Sequence, residues 1–193
     1  MSGADFIVGL LTIVTGLAIC DMIVSLHGLL INRRQVKWDW LALVSAAFVI
    51  LAIINTWRMT YVGFQDAVKG PAIWVFLLVL VQNVGLYLAA RTALPDKVEL
   101  GEPFDLAAYY DFVDRYLWSA LLTCYAAYIV LSILGLIASG RLPYQNLFIQ
   151  VLIGFPLILA LVIWPNRKLH RLVVPLLFVW ICIRALPGTL LIA

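Results

Sequence analysis

Residues 6–30, FIVGLLTIVTGLAICDMIVSLHGLL, decide the fold. The run is long enough to cross the ~30 Å hydrocarbon core of a bilayer as a helix. Its one charge, Asp21, sits about a dozen residues from the nearest basic cluster, Arg33 and Arg34. A carboxylate in hydrocarbon costs roughly 3 kcal/mol on insertion scales, so it is neutralised, paired or used. The amino-terminal MSGADF carries no Lys or Arg, whereas a secretory leader opens on a positive region. The run is therefore expected to be a retained span.

The rest of the chain matches it. Of 193 residues, 65% are hydrophobic and 12% charged, too little polar surface for a soluble domain. Apolar runs recur along the whole length, which predicts an all-α bundle of six transmembrane helices in a single domain. The spans fall at about 5–31, 38–61, 71–94, 116–139, 144–164 and 168–192. Their punctuation is Asn32-Arg33-Arg34, Gly70-Pro71, Pro95, Gly140 with Pro143, and Pro165. Pro156, Pro175 and Pro187 fall inside spans, where each removes a backbone donor.

Loop charge sets the orientation. The first, third and fifth connections carry Arg33, Arg34, Lys37, Arg91, Lys97, Arg115, Arg167, Lys168 and Arg171. The second and fourth carry only Arg58, Lys69 and Arg141. The richer side is expected to be cytoplasmic, with both termini non-cytoplasmic. Trp38, Trp40, Trp118 and Trp164 then lie at the inner interface, and Trp57 and Trp74 near the outer one. The two halves have opposite orientation, as in inverted-repeat transporters.

The third connection, residues 97–118, is long and acidic. With Asp96 its acids are Glu99, Glu102, Asp105, Asp111 and Asp114. Gly101-Glu102-Pro103 followed by Asp105 reads as a helix start with acids at the positive dipole end. The spacing predicts a short interfacial amphipathic helix at about 103–115, feeding the fourth span. Asp111 and Arg115, four apart, would pair on it. Asp96, Glu99, Glu102, Asp105, Tyr109 and Tyr110 form a candidate partner-facing loop. Leu94-Pro95-Asp96, an acidic gap, then Asp105-Leu106-x-x-Tyr109-Tyr110 resembles small multi-spanning bacterial membrane proteins of unassigned function. That resemblance implies a bacterial cytoplasmic (inner) membrane location and no activity.

Polar residues inside the spans suggest a second site. At ~1.5 Å rise per residue, Asp21 lies roughly 18 Å from the cytoplasmic end of its helix. Gln82, Asn83 and Gln150 fall near that depth, with Asn55 and Arg184 somewhat further out. Stripes such as Asn83-Tyr87-Arg91 should face the bundle, since lipid cannot satisfy them. Arg184 keeps its charge and needs a counter-ion, and Asp21 is the acid at comparable depth. The pair is expected either to order the bundle statically or to gate a proton or ion path. Otherwise Arg184 snorkels outward and Asp21 is protonated.

Enzyme chemistry finds little support. The sequence has no H-E-x-x-H, no G-x-S-x-G and no glycine-rich phosphate loop. A bis-histidine haem between His27 and His170 meets only its minimum requirement, and His170 in its basic run reads as solvated. Cys20, Cys124 and Cys182 read as small core residues, so no cofactor or metal is expected. The net charge of +3 lies in short loops and is no nucleic-acid stripe. The expected partners are the lipid bilayer, a protein met through residues 96–115, or further copies of the chain. Two functions remain: an accessory, assembly or interaction subunit of a membrane complex, or a compact transporter or channel.

Overall fold

The computed structural model describes residues 3–65, 73–96, 103–139 and 150–185, without the side chains at 3–7, 63–65, 136, 138–139, 150 and 184–185. Gly70-Pro71, Gly140, Pro143 and Pro187, all named above, lie outside the described residues. Among the described residues six α-helices carry the fold: α1 (Gly3–Ile31), α2 (Trp40–Gln65), α3 (Ile73–Ala93), α4 (Leu106–Ser139), α5 (Phe155–Ile163) and α6 (Arg167–Ala185). A π-helical turn, Gln150–Gly154, leads into α5. The first four helices are long and apolar enough to cross a membrane. The apolar segment that includes α5 is shorter. Arg167, Lys168, Arg171 and Arg184 give α6 more charge than an uninterrupted hydrocarbon span carries.

The surface is apolar where water would need it polar. Ile13, Val24, Ile73, Ile137, Leu172 and Ile183 are all exposed large hydrophobic residues. Acyl chains solvate such a surface at no cost, so helix association must come from close packing and polar contacts. The closest pair is α3 with α4. Gly85, Ala89 and Ala93 make a buried small-residue stripe on α3, and Gly85 sits against Ala120 and Cys124 of α4. A Cβ at Gly85 would come within 2.6 Å of Cys124 Sγ, so only glycine allows this approach. The Cys124 thiol donates to the Gln82 carbonyl at 3.3 Å across the same seam.

Around this pair, α1 packs on α3 and α2, α2 packs on α6, and α5 packs on α4. One short sheet joins the connections. β1 (Val36–Lys37) runs parallel to β2 (Phe104–Asp105), with Val36 opposite Phe104 and Lys37 opposite Asp105. The Phe104 amide donates to the Gln35 carbonyl at 2.9 Å, and Lys37 Nζ stands 3.8 Å from Asp105.

The expected interfacial helix at 103–115 is not a separate element. Residues 106–139 form one helix of 34 residues, roughly 51 Å at 1.5 Å per residue. That exceeds the ~30 Å of hydrocarbon by several turns. Asp105 starts it by accepting hydrogen bonds from the Ala107 and Ala108 amides at 3.0 and 3.2 Å, an N-cap. The apolar side of the expected interfacial helix is turned inward, with Leu106, Tyr110, Val113 and Leu117 buried against the bundle.

Candidate functional site

The polar side chains gather where the 32–39 connection, the start of α4 and the α5–α6 turn meet. Asp39 precedes α2, a position where its negative charge meets the helix's positive end. Its carboxylate is nearly buried and accepts from Arg167 Nη2 at 2.7 Å. The other arm of Arg167 bonds Asp111 and, at 3.2 Å, the Ala107 carbonyl. A planar guanidinium serves three acceptors at once, which an ammonium could not do with the same geometry. Burial alone would lower the Arg167 pKa. The hydrogen bond to Asp111 and the charge of Asp39 outweigh burial and leave it raised. Asp111 therefore pairs with Arg167 and not with Arg115, the partner expected from helical spacing. Arg167 is positioned by Asn166, whose side chain accepts from the Lys168 amide at 3.0 Å and caps α6.

Beneath this ion triad lies a buried cluster. His170 is 1% exposed, which overturns the expectation of a solvated histidine. Its Nε2 faces the Leu161 carbonyl at 3.2 Å and its Nδ1 faces the Tyr110 hydroxyl at 2.9 Å. A carbonyl only accepts, so Nε2 carries the hydrogen and Tyr110 donates to Nδ1. Trp118 Nε1 donates to the same Tyr110 oxygen at 3.0 Å. The rings of Tyr110 and Trp118 both meet the His170 ring edge-on. Asp114 stands 3.9 Å from Nε2. With both His170 nitrogens engaged by the protein and His27 exposed, the two histidines do not present themselves as a haem pair.

A third network joins α1 to the end of α3. Arg91 Nη1 lies 3.5 Å from Asp21, and Nη2 lies 2.8 Å from Asp96. The Tyr87 hydroxyl reaches the same Asp21 carboxylate. Asp21 thus meets the Tyr87-Arg91 part of the stripe predicted on α3. Arg91 belongs to the last turn of that helix. The pairing expected with Arg184 involves a side chain outside the described residues, as does Gln150. Asn55 accepts from Arg58 at 3.4 Å, and Asn83 donates to the Val79 carbonyl at 2.8 Å, both within their own helices. Gln82 is buried at the α3–α4 seam.

The candidate partner-facing residues also turn inward. Asp96 is held by Arg91 and Asp105 caps α4. The Tyr109 hydroxyl donates to the Thr92 carbonyl at 3.1 Å, and Tyr110 is buried beside His170. Glu99 and Glu102 lie outside the described residues. The Leu94-Pro95-Asp96 and Asp105-Leu106-x-x-Tyr109-Tyr110 elements are therefore the two halves of one joint. Leu94, Pro95 and Leu106 are its buried apolar part. Sequence reasoning missed Asp39, although an acid directly ahead of Trp-Leu-Ala-Leu is a helix-start signal. It also missed the small-residue stripe at 85, 89 and 93, which four-residue spacing displays openly.

Among the described residues, no group of three or more His, Cys, Asp or Glu stands where it could hold a metal ion. No protein-family model matches the chain, and neither a curated protein nor a solved structure matches it.

Proposed function

We propose that this is a multi-pass protein of the bacterial inner membrane that works by binding. It serves as an accessory or assembly subunit of a membrane complex, or as a small homo-oligomer. On this reading the segments around α5 and α6 complete six spans, both termini are non-cytoplasmic, and the Asp39–Arg167–Asp111 joint faces the cytoplasm. The observation that carries the proposal is how the acids are employed. Asp21, Asp39, Asp96, Asp105 and Asp111 each meet a basic side chain within the chain itself. Charged groups spent on joining helices leave the helix faces as the working surface.

On the 103–115 stretch the outward face is Phe112, 87% exposed, with Tyr116 one turn on. That face is where a partner would meet the joint. Purification of the full chain in mild detergent, with a photo-crosslinking residue at position 112, tests this. A stoichiometric cross-linked partner or a discrete oligomer is expected. A monomer that cross-links only to lipid, and whose proteoliposomes move protons or a solute, would sink the proposal.

One observation favours the second reading, a compact transporter or channel. The fifth segment is not a regular helix: the π-helical turn Gln150–Gly154 runs into Pro156. Such turns free backbone carbonyls and recur at functional sites. Gly154 packs so closely on the Tyr125 hydroxyl that any Cβ there would collide with it. Solute flux that disappears in Gly154→Ala while the protein stays folded would favour transport.

A further inference from the structure

The buried cluster around His170 has a feature that holding helices together does not require. Ser45, on α2, is buried, and its Oγ approaches the Tyr110 hydroxyl without forming a well-aligned hydrogen bond. A buried hydroxyl left unsatisfied costs free energy and calls for an explanation. Tyr110 supplies one. In the arrangement described, its hydrogen is committed to His170 Nδ1 and its oxygen accepts from Trp118. Suppose Nδ1 gains a proton from solvent, forming a new N–H bond. Nδ1–H then donates to the Tyr110 oxygen, and the displaced phenolic hydrogen turns to Ser45 Oγ. The Tyr110 oxygen then accepts from Trp118 and His170 and donates to Ser45. His170 Nε2 still donates to the Leu161 carbonyl, and the new charge stands 3.9 Å from Asp114. One hydroxyl rotation gives the Ser45 oxygen a donor while every other contact of the cluster is kept.

We propose that His170 is a proton-binding site, with Tyr110 as the rotor that accommodates the proton, Ser45 as its waiting acceptor and Asp114 as the counter-charge. The surroundings set the balance. Burial opposes the proton most strongly, while on α4 Asp114 and Asp111 favour it. Ahead of α2, Asp39 is neutralised by Arg167. On the histidine's own helix Arg167, Lys168 and Arg171 oppose the proton, and α5 offers the carbonyls of Leu161 and Trp164. Because Ser45, Tyr110 and His170 belong to α2, α4 and α6, the protonation state is felt where those three helices meet.

The test is a pH titration of the full-length protein in lipid nanodiscs, carrying 15N-histidine and His27→Asn to leave one signal. At high pH the expected species is the neutral Nε2–H tautomer. It should convert to imidazolium as the pH is taken from ~8 down to ~4, with its midpoint below the ordinary value near 6.5 because burial disfavours the charged ring. Ser45→Ala should lower the midpoint by about half a unit to one unit, the worth of one hydrogen bond. Asp114→Asn should lower it as well. An Nδ1–H tautomer, no protonation over that range, or a midpoint unmoved in Ser45→Ala overturns the proposal. If Ser45→Ala does not fold, the wild-type tautomer and the Asp114→Asn midpoint decide alone.

Discussion

Among the described residues, the two ends of the bundle are built differently. At one end Arg167, Asp39, Asp111, His170, Tyr110, Trp118 and the β1–β2 bridge tie five segments together through directional contacts. At the other, α1 and α2 share the hydrogen bond from Trp57 Nε1 to Thr12 Oγ1 at 3.0 Å, with Tyr61 stacked on Trp57. Between them the helices touch through small residues. Where apolar surface gains nothing by leaving lipid, polar contacts fix which helix meets which, and small residues fix how closely. The polar end therefore specifies the arrangement, and the rest follows by packing.

That contrast can be broken most severely at Arg167. Arg167→Ala leaves the Asp39 carboxylate nearly buried with no partner, at an expected cost of about 3 kcal/mol. It should destabilise more than Gly85→Ala, Asp21→Asn or Trp57→Phe when thermal unfolding is followed in detergent. Arg167→Lys should recover only part of the loss, because an ammonium cannot bridge three acceptors. Gly85→Ala comes next, at about 1–3 kcal/mol from overpacking against Cys124. Adding Cys124→Ala should return most of that loss, and a double-mutant cycle measures the coupling. Additive effects at 85 and 124 would mean that the α3–α4 seam is looser than described.

Asp21→Asn sharpens the comparison. Its partner lies at 3.5 Å, is shared with Asp96, and both side chains are partly exposed. The expected cost is about 1 kcal/mol or less. A cost equal to that of Arg167→Ala would move the specifying contacts from the joint to the α1–α3 contact. Trp57→Phe removes a single exposed hydrogen bond and should cost about 0.5 kcal/mol. A larger loss would show that the far end also specifies the arrangement.

Much of the helical fold was legible because it rests on length and hydropathy. The first three helices and the α5 stop before Pro165 fall close to where apolar runs and breakers put them. The fourth helix was misjudged at its start because acids and aromatics at helical spacing look alike on an interfacial helix and on a span that protrudes from the membrane. Only the burial of Tyr110 and Leu106 separates the two. Asp21 meets Tyr87 and Arg91, two residues that helical spacing puts on one stripe of α3. Depth arithmetic matched Asp21 to Arg184, whose side chain lies outside the described residues, and did not offer Arg91, which is long enough to reach Asp21 from the last turn of α3. Asp111 with Arg115 was favoured as the local pair, and a partner from another segment won because Arg167 also satisfies Asp39. His170 sits in a run of basic residues that reads as wet. Nothing in that run shows that its side chain turns inward.

Asp39 and Arg167 are separated by 128 positions in the chain. At ~5–20 residues per second of synthesis, the aspartate waits roughly 6–25 s before its arginine exists. Until then the carboxylate must stay hydrated, so the entrance of α2 cannot be sealed before α6 has been made. Its closure reports that α6 has arrived, and a chain truncated before α6 carries an open, charged end that quality-control proteases can recognise.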